Sequence, residues 1–171
     1  MSKIGIFFAP KGGSTEKVAK KIQAQLPDAD LHCVADIEIS EMLKYDKLIL
    51  GIATIGKETW DQDYKKSGWD LKLPVVENTD FSGKTVALFG LGDSVTYGLN
   101  FVDAMGILGR TIKKQGGKLV GFTDTKDYNF TESQAIENDQ FMGLPIDEDF
   151  EDEKTNERIT QWIKELNDSM L

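Results

Sequence analysis

Residues 10–15, Pro10-Lys11-Gly12-Gly13-Ser14-Thr15, link an apolar run to a stretch with helical periodicity. Glycines let a backbone close on a ligand, and the free N–H groups that open a helix attract an anion. The amides from Lys11 to Thr15 are therefore predicted to wrap one terminal phosphate at a helix N-terminus. Two further stretches mix glycine with hydroxyl or acidic groups: Thr54-Ile55-Gly56-Lys57-Glu58 and GLGDSVTYGLN at 90–100. Standard nucleotide motifs do not fit. No glycine–lysine pair precedes Ser14-Thr15, and Gly90-Leu91-Gly92-Asp93-Ser94-Val95 lacks the third glycine of a dinucleotide fingerprint, which disfavours nucleoside triphosphate and NAD. The chain has one cysteine, Cys33, and one histidine, His32. An internal disulfide and a cysteine-based metal cage are excluded, no metal ligand set is predicted, and both residues read as structural.

Something must hold these three stretches together. Four nearly continuous apolar runs stand out at 3–9, 47–53, 85–90 and 118–122, with a weaker one at 29–35. Short, unalternating runs are how strands read when a parallel sheet is covered on both faces. Val18, Ile22 and Leu26 share one helical face, as do Phe101, Ala104, Leu108 and Ile112 before the Gly116-Gly117 stop, and Ile159, Trp162, Ile163 and Leu166. Strands alternating with helices predict a doubly wound α/β domain spanning 1–171. In such sheets ligands collect beyond the carboxyl ends of the strands, where all three stretches fall. Residues 54–74 and 123–142 do not fit the alternation and read as functional or decorative insertions.

With 171 residues and 40% hydrophobic content, the chain can bury a sizeable core. No window approaches a transmembrane helix, and the short apolar start lacks a leader's cleavage site, so a cytoplasmic location is expected. The net charge of −9 is uneven, with six acids among the seven residues 147–153. Such a surface repels nucleic acid and anionic membrane and steers toward basic proteins.

The stretch at 90–109, GLGDSVTYGLNFVDAMGILG, resembles the isoalloxazine loop of flavodoxins, a G-x-G-D followed by tyrosine and Asn-Phe. The last third, KLVGFTDTKDYNF through FMGLPIDEDFEDE, is similar to the same family, and the residues before FMGLPID resemble the insertion that interrupts the fifth strand of its long-chain members. The resemblance implies a five-stranded parallel sheet of order 2-1-3-4-5 and one non-covalently bound FMN. It implies Tyr97 stacked on the outer flavin face, Asp93 accepting from the pyrimidine N3–H, and Gly90, Leu91 and Gly92 as close backbone. Asn100, Phe101 and Asp149 give further support, and Ala53, Thr54, Ile55, Gly56 and Lys57 form the inner-face loop. Ile55 stands where many long-chain members have tryptophan, and Gly56 tolerates the positive φ that one orientation of its peptide requires. Trp60 reads as packing or partner surface. The phosphate loop departs from the family's T/S-x-T-G-x-T: proline and glycine replace two hydroxyls, and Lys11 is expected to supply a compensating charge. The function implied is that of a monomeric, low-potential one-electron carrier, itself not an enzyme. Its partners would be proteins of the flavodoxin or ferredoxin reductase or oxidoreductase type. A flavin-dependent quinone reductase and a flavin-free binding module are the alternatives.

Overall fold

A computed structural model describes residues 3–54 and 68–170 of the chain. Strand β1 (Ile4–Ala9) leads into α1 (Ser14–Gln25), β2 (Asp30–Cys33) and β3 (Lys47–Ala53). Helix α2 (Trp69–Val76), β4 (Thr85–Leu91) and α3 (Asp103–Lys114) follow. The chain then forms β5 (Lys118–Val120), β6 (Thr123–Asp124), β7 (Ile136–Glu137), β8 (Gln140–Phe141), β9 (Leu144–Ile146) and α4 (Thr155–Leu166).

The main sheet has the expected order β2-β1-β3-β4-β5, every pair parallel. Its last position is filled in two pieces. β5 pairs the first half of β4, with Ala87 opposite Val120, and β9 pairs the second half, with Leu91 opposite Ile146. The break falls at Gly121, whose φ of +78° leaves the strand region, and a Cβ there would meet Trp162 Nε1 and Leu166 Cδ2 at 2.9 Å. Between the pieces, β6, β8 and β7 form a small antiparallel sheet, as the interrupted fifth strand implied.

Successive strand residues point to opposite faces, so the continuous apolar runs build two cores. Phe7, Leu48, Leu50, Val86 and Leu88 pack under α2 and α3 with Trp69, Met105, Leu108 and Ile112. Ile6, Phe8, Ile49, Ala87 and Phe89 pack under α1 and α4 with Val18, Ile22, Ile159, Trp162 and Leu166. His32 stacks on Phe7 with ring centroids 5.2 Å apart, and Cys33 is buried at the end of β2.

Three boundaries differ from expectation. The weak run at 29–35 yields only four strand residues, because Val34–Asp36 turns into a 3-10 helix. Helix α3 begins at Asp103, so Phe101 precedes it and lies wholly buried among Phe130, Tyr128 and Phe141. Helix α2 lies where no regular element was predicted, since Pro74 inside it breaks the usual template. Trp69 anchors it, fully buried, with Nε1 donating to the Gly51 carbonyl at 2.8 Å. Ile55, Gly56, Lys57 and Trp60 lie outside the described residues.

Candidate functional site

Parallel pairing in register brings the carboxyl ends of β1, β3 and β4 to one edge: Ala9 lies beside Ile52, and Ala53 beside Leu91. A cleft of about 310 Å³ opens there. Its lining includes Pro10, Ser14 and Thr15 from the first loop, Ala53 and Thr54 from the second, and Leu91, Gly92, Asp93 and Tyr97 from the third. Glu148 and Asp149 close it from the β9–α4 loop. A larger groove of about 530 Å³ lies between residues 123–129 and α4, but it touches none of the three strand-end loops. Among the described residues, no three histidine, cysteine, aspartate or glutamate side chains gather as a metal site.

At one end of the cleft stands the start of α1. Its N-cap is Gly13, which has no side chain to satisfy the first amides, and no other described side chain accepts from them. A Cβ on Gly12 or Gly13 would meet no described residue within 4 Å, so these residues do not crowd the loop. Gly12 has a φ of +85°, a conformation that favours glycine. Thr15 is buried and Ser14 exposed. Free amides, a helix dipole and two hydroxyls are groups that can receive an anion. Lys11 does not face it: its exposed ammonium lies 3.0 Å from Asp36 Oδ2, and that hydrogen bond raises its pKa.

The second loop is tied down by Thr54. Its N–H donates to Leu91 O, and its Oγ1 accepts from Ala104 N, both at 2.8 Å. Val102, the N-cap of α3, provides no side-chain cap, so Thr54 serves as one from fifty residues away in sequence.

The third loop is held by two carboxylates. Asp93 Oδ1 accepts from Val95 N at 3.0 Å and Thr96 N at 2.7 Å, folding the turn that presents Tyr97. Asp147, fully buried, accepts from Ser94 N and Oγ through Oδ2 and from Asp149 N and Phe150 N through Oδ1. The segment between β6 and β7 braces the far side, where Thr131 N and Glu132 N both donate to Gly98 O at 2.8 Å. Tyr97 keeps 38% of its surface exposed and lines the cleft.

Some predicted residues have other employment here. Phe101 belongs to the core, and Asn100 donates to Asp103 Oδ2 at 3.1 Å. Gly90 and Gly92 let α3 approach: a Cβ on either would meet Met105 or Val102 at 3.0 Å. The acidic run is divided too. Asp147 and Glu151 are buried, and Glu148's side chain is 6% exposed, whereas Asp149, Asp152 and Glu153 face outward. Glu151 pairs with Lys154 and Arg158. Partial burial, then the charges of Asp93, Asp147 and Glu148, push the Asp149 carboxyl above its ordinary range.

Asp147 and Glu148 were not singled out by sequence reasoning as builders of the cleft. Their signal is position, immediately after the apolar run FMGLPI, hence at a strand's carboxyl end.

The flavodoxin family model matches residues 6–162. The flavodoxin of Picosynechococcus is 43% identical over 169 residues, covering 97% of this chain and 96% of its own. Flavodoxin 1 of Escherichia coli is 39% identical over 173 residues, covering 99% and 96%. The crystal structure of Fusobacterium nucleatum flavodoxin bound to flavin mononucleotide superimposes with a TM-score of 0.83 at 32% identity, over 100% of both chains. Relatives this similar over nearly the whole length settle membership: the chain belongs to the flavodoxin family.

Proposed function

We propose that the protein binds FMN in the strand-end cleft and carries single electrons between redox proteins. The observation that carries this is the pairing, in one cleft, of an uncapped helix start with a part-exposed tyrosine held by buried carboxylate bonds. The cleft fits the cofactor's chemistry at both ends. Free amides with Ser14 and Thr15 suit a phosphate, and Tyr97 with Asp93 suits a planar ring bearing an N–H donor. Bound FMN would supply the capacity to take up and release one electron at a time. The chain's own residues orient the ring and shield it: Tyr97 covers one face, and the Thr54 and Asp147 bonds hold the neighbouring loops in register.

Partners of basic surface suit the rim. Val95, Leu99 and Phe150 are exposed by 64%, 60% and 50%, and Asp149, Asp152 and Glu153 also face outward. Exposed apolar side chains supply contact area for a docking protein, and the acidic charges favour one with a basic surface. Among the described residues, no helix is long and apolar enough to cross a membrane.

Adding FMN to ligand-free protein should quench flavin fluorescence and raise the melting temperature. At a hundredfold excess over Kd the stabilisation is about 2.7 kcal/mol. Unquenched flavin and an unmoved melting curve would overturn the reading.

A further inference from the structure

The phosphate end of the cleft holds a charge arrangement that the family resemblance did not suggest. Lys17 sits in the first turn of α1, three residues after Ser14. A helical side chain covers the turn N-terminal to its own Cα, so Lys17 reaches back toward the helix start. Its ammonium lies 3.2 Å from Oε1 of Glu148, a residue that lines the same cleft as Ser14 and Thr15. Glu148's side chain is only 6% exposed, and its Oε2 accepts from Thr155 Oγ1 at 2.7 Å. Yet Oε1 has no hydrogen bond, because the ammonium is close enough for charge pairing but misaligned for donation. Lys17 is thus loosely held, with 59% of its side chain exposed, whereas Lys11 is hydrogen-bonded to Asp36 away from the site.

We propose that Lys17 is a counter-charge for the ligand's phosphate, and that the buried Glu148 carboxylate sets how much of that charge the cleft presents. The proposal rests on the FMN reading. A phosphate brings up to two negative charges to the α1 amides. The nearby ammonium attracts them and the Glu148 carboxylate repels them, so the pair tunes affinity for the phosphate without touching affinity for the ring. A family-type loop with all three of its hydroxyls would have less need of such a cation. Here proline and glycine stand in two of those places.

The experiment compares FMN with riboflavin, which keeps ring and ribityl chain but lacks the phosphate, by fluorescence quenching on ligand-free protein. Lys17→Met should weaken FMN roughly five- to tenfold and leave riboflavin unchanged, with the gap closing as salt rises. Lys11→Met should change both by less than about twofold, as for an exposed surface pair. Glu148→Gln, which keeps an acceptor for Thr155, should tighten FMN selectively by about threefold. If Lys17→Met fails to fold with Glu148 unpaired, the same substitution in the Glu148→Gln background must still lower FMN selectively. Equal losses for both ligands, or a selective loss at Lys11 instead of Lys17, would overturn the role of Lys17. Selective weakening of FMN by Glu148→Gln would overturn the role of Glu148. A wild-type protein that quenches neither ligand overturns the FMN reading itself, which separates the two failures.

Discussion

The two ends of the cleft are built in opposite ways. At the ring end, Asp147 accepts four hydrogen bonds and Asp93 two, so the loops around Tyr97 are shaped by the protein itself. At the phosphate end the helix start has no side-chain cap among the described residues, none of them crowds Gly12 or Gly13, and the Lys17–Glu148 ion pair is misaligned. At one end the described loops are shaped by internal hydrogen bonds, and at the other the helix's first amides have no side-chain acceptor among the described residues. A cleft divided this way takes its geometry from the first end and much of its ligand-dependent stability from the second.

The contrast should break most visibly at Asp147. Replacing it with alanine leaves three amides and a hydroxyl without their acceptor, at a cost on the order of 3 kcal/mol. Chemical denaturation of the ligand-free protein should show that loss, with flavin affinity falling alongside it. An effect below ~1 kcal/mol would mean that solvent readily takes over these donors.

Gly12→Ala probes the other end. With a φ of +85° but open space around it, alanine meets backbone strain alone, about 1 kcal/mol, in ligand-free and ligand-bound protein alike. Gly13→Asp goes further in kind, though not in size. Its φ of −125° suits any residue, and an aspartate there can cap α1, stabilising the ligand-free protein by a few tenths of a kcal/mol. The same carboxylate takes the phosphate's place, so FMN should bind more weakly while riboflavin is spared. Gain of stability with unchanged FMN affinity would contradict the anion site.

The smallest effect belongs to Asp149, where the sign follows from its raised pKa. A carboxyl with a higher pKa in the folded than in the unfolded chain destabilises the fold while ionised. That cost is relieved as pH falls through the folded pKa. Asp149→Asn should therefore stabilise the protein at neutral pH, with the gain shrinking toward zero as pH drops below the ordinary aspartate range. A gain that grew in acid would reverse the assignment.

Much of this was legible in the chain. The four strong apolar runs become β1, β3, β4 and β5, and residues at the ends of the first three, Pro10, Thr54 and Gly92 among them, line one cleft. What the sequence did not disclose depends on contacts between distant segments. Asp36 draws Lys11 aside from twenty-five residues away, and Glu148 goes inward because Lys17 and Thr155 meet it there. The run DEDFEDE looks uniform as text, yet Asp147, Glu148 and Glu151 turn inward, leaving Asp149, Asp152 and Glu153 outside. Helix α2 escaped because Trp69 holds it through tertiary packing while Pro74 argues against it locally.

The split last position of the sheet has a consequence for the protein in a crowded solution. An open parallel sheet has two edge strands, whose unpaired backbone groups invite a second chain to add on. Here one edge is β2, four residues long, and the other is two three-residue pieces, β5 and β9, with the chain leaving the sheet between them. Neither offers the long, regular ladder on which chains stack into aggregates. The excursion that braces the Tyr97 loop thus also shortens the strand edge that a neighbouring molecule could use as a template.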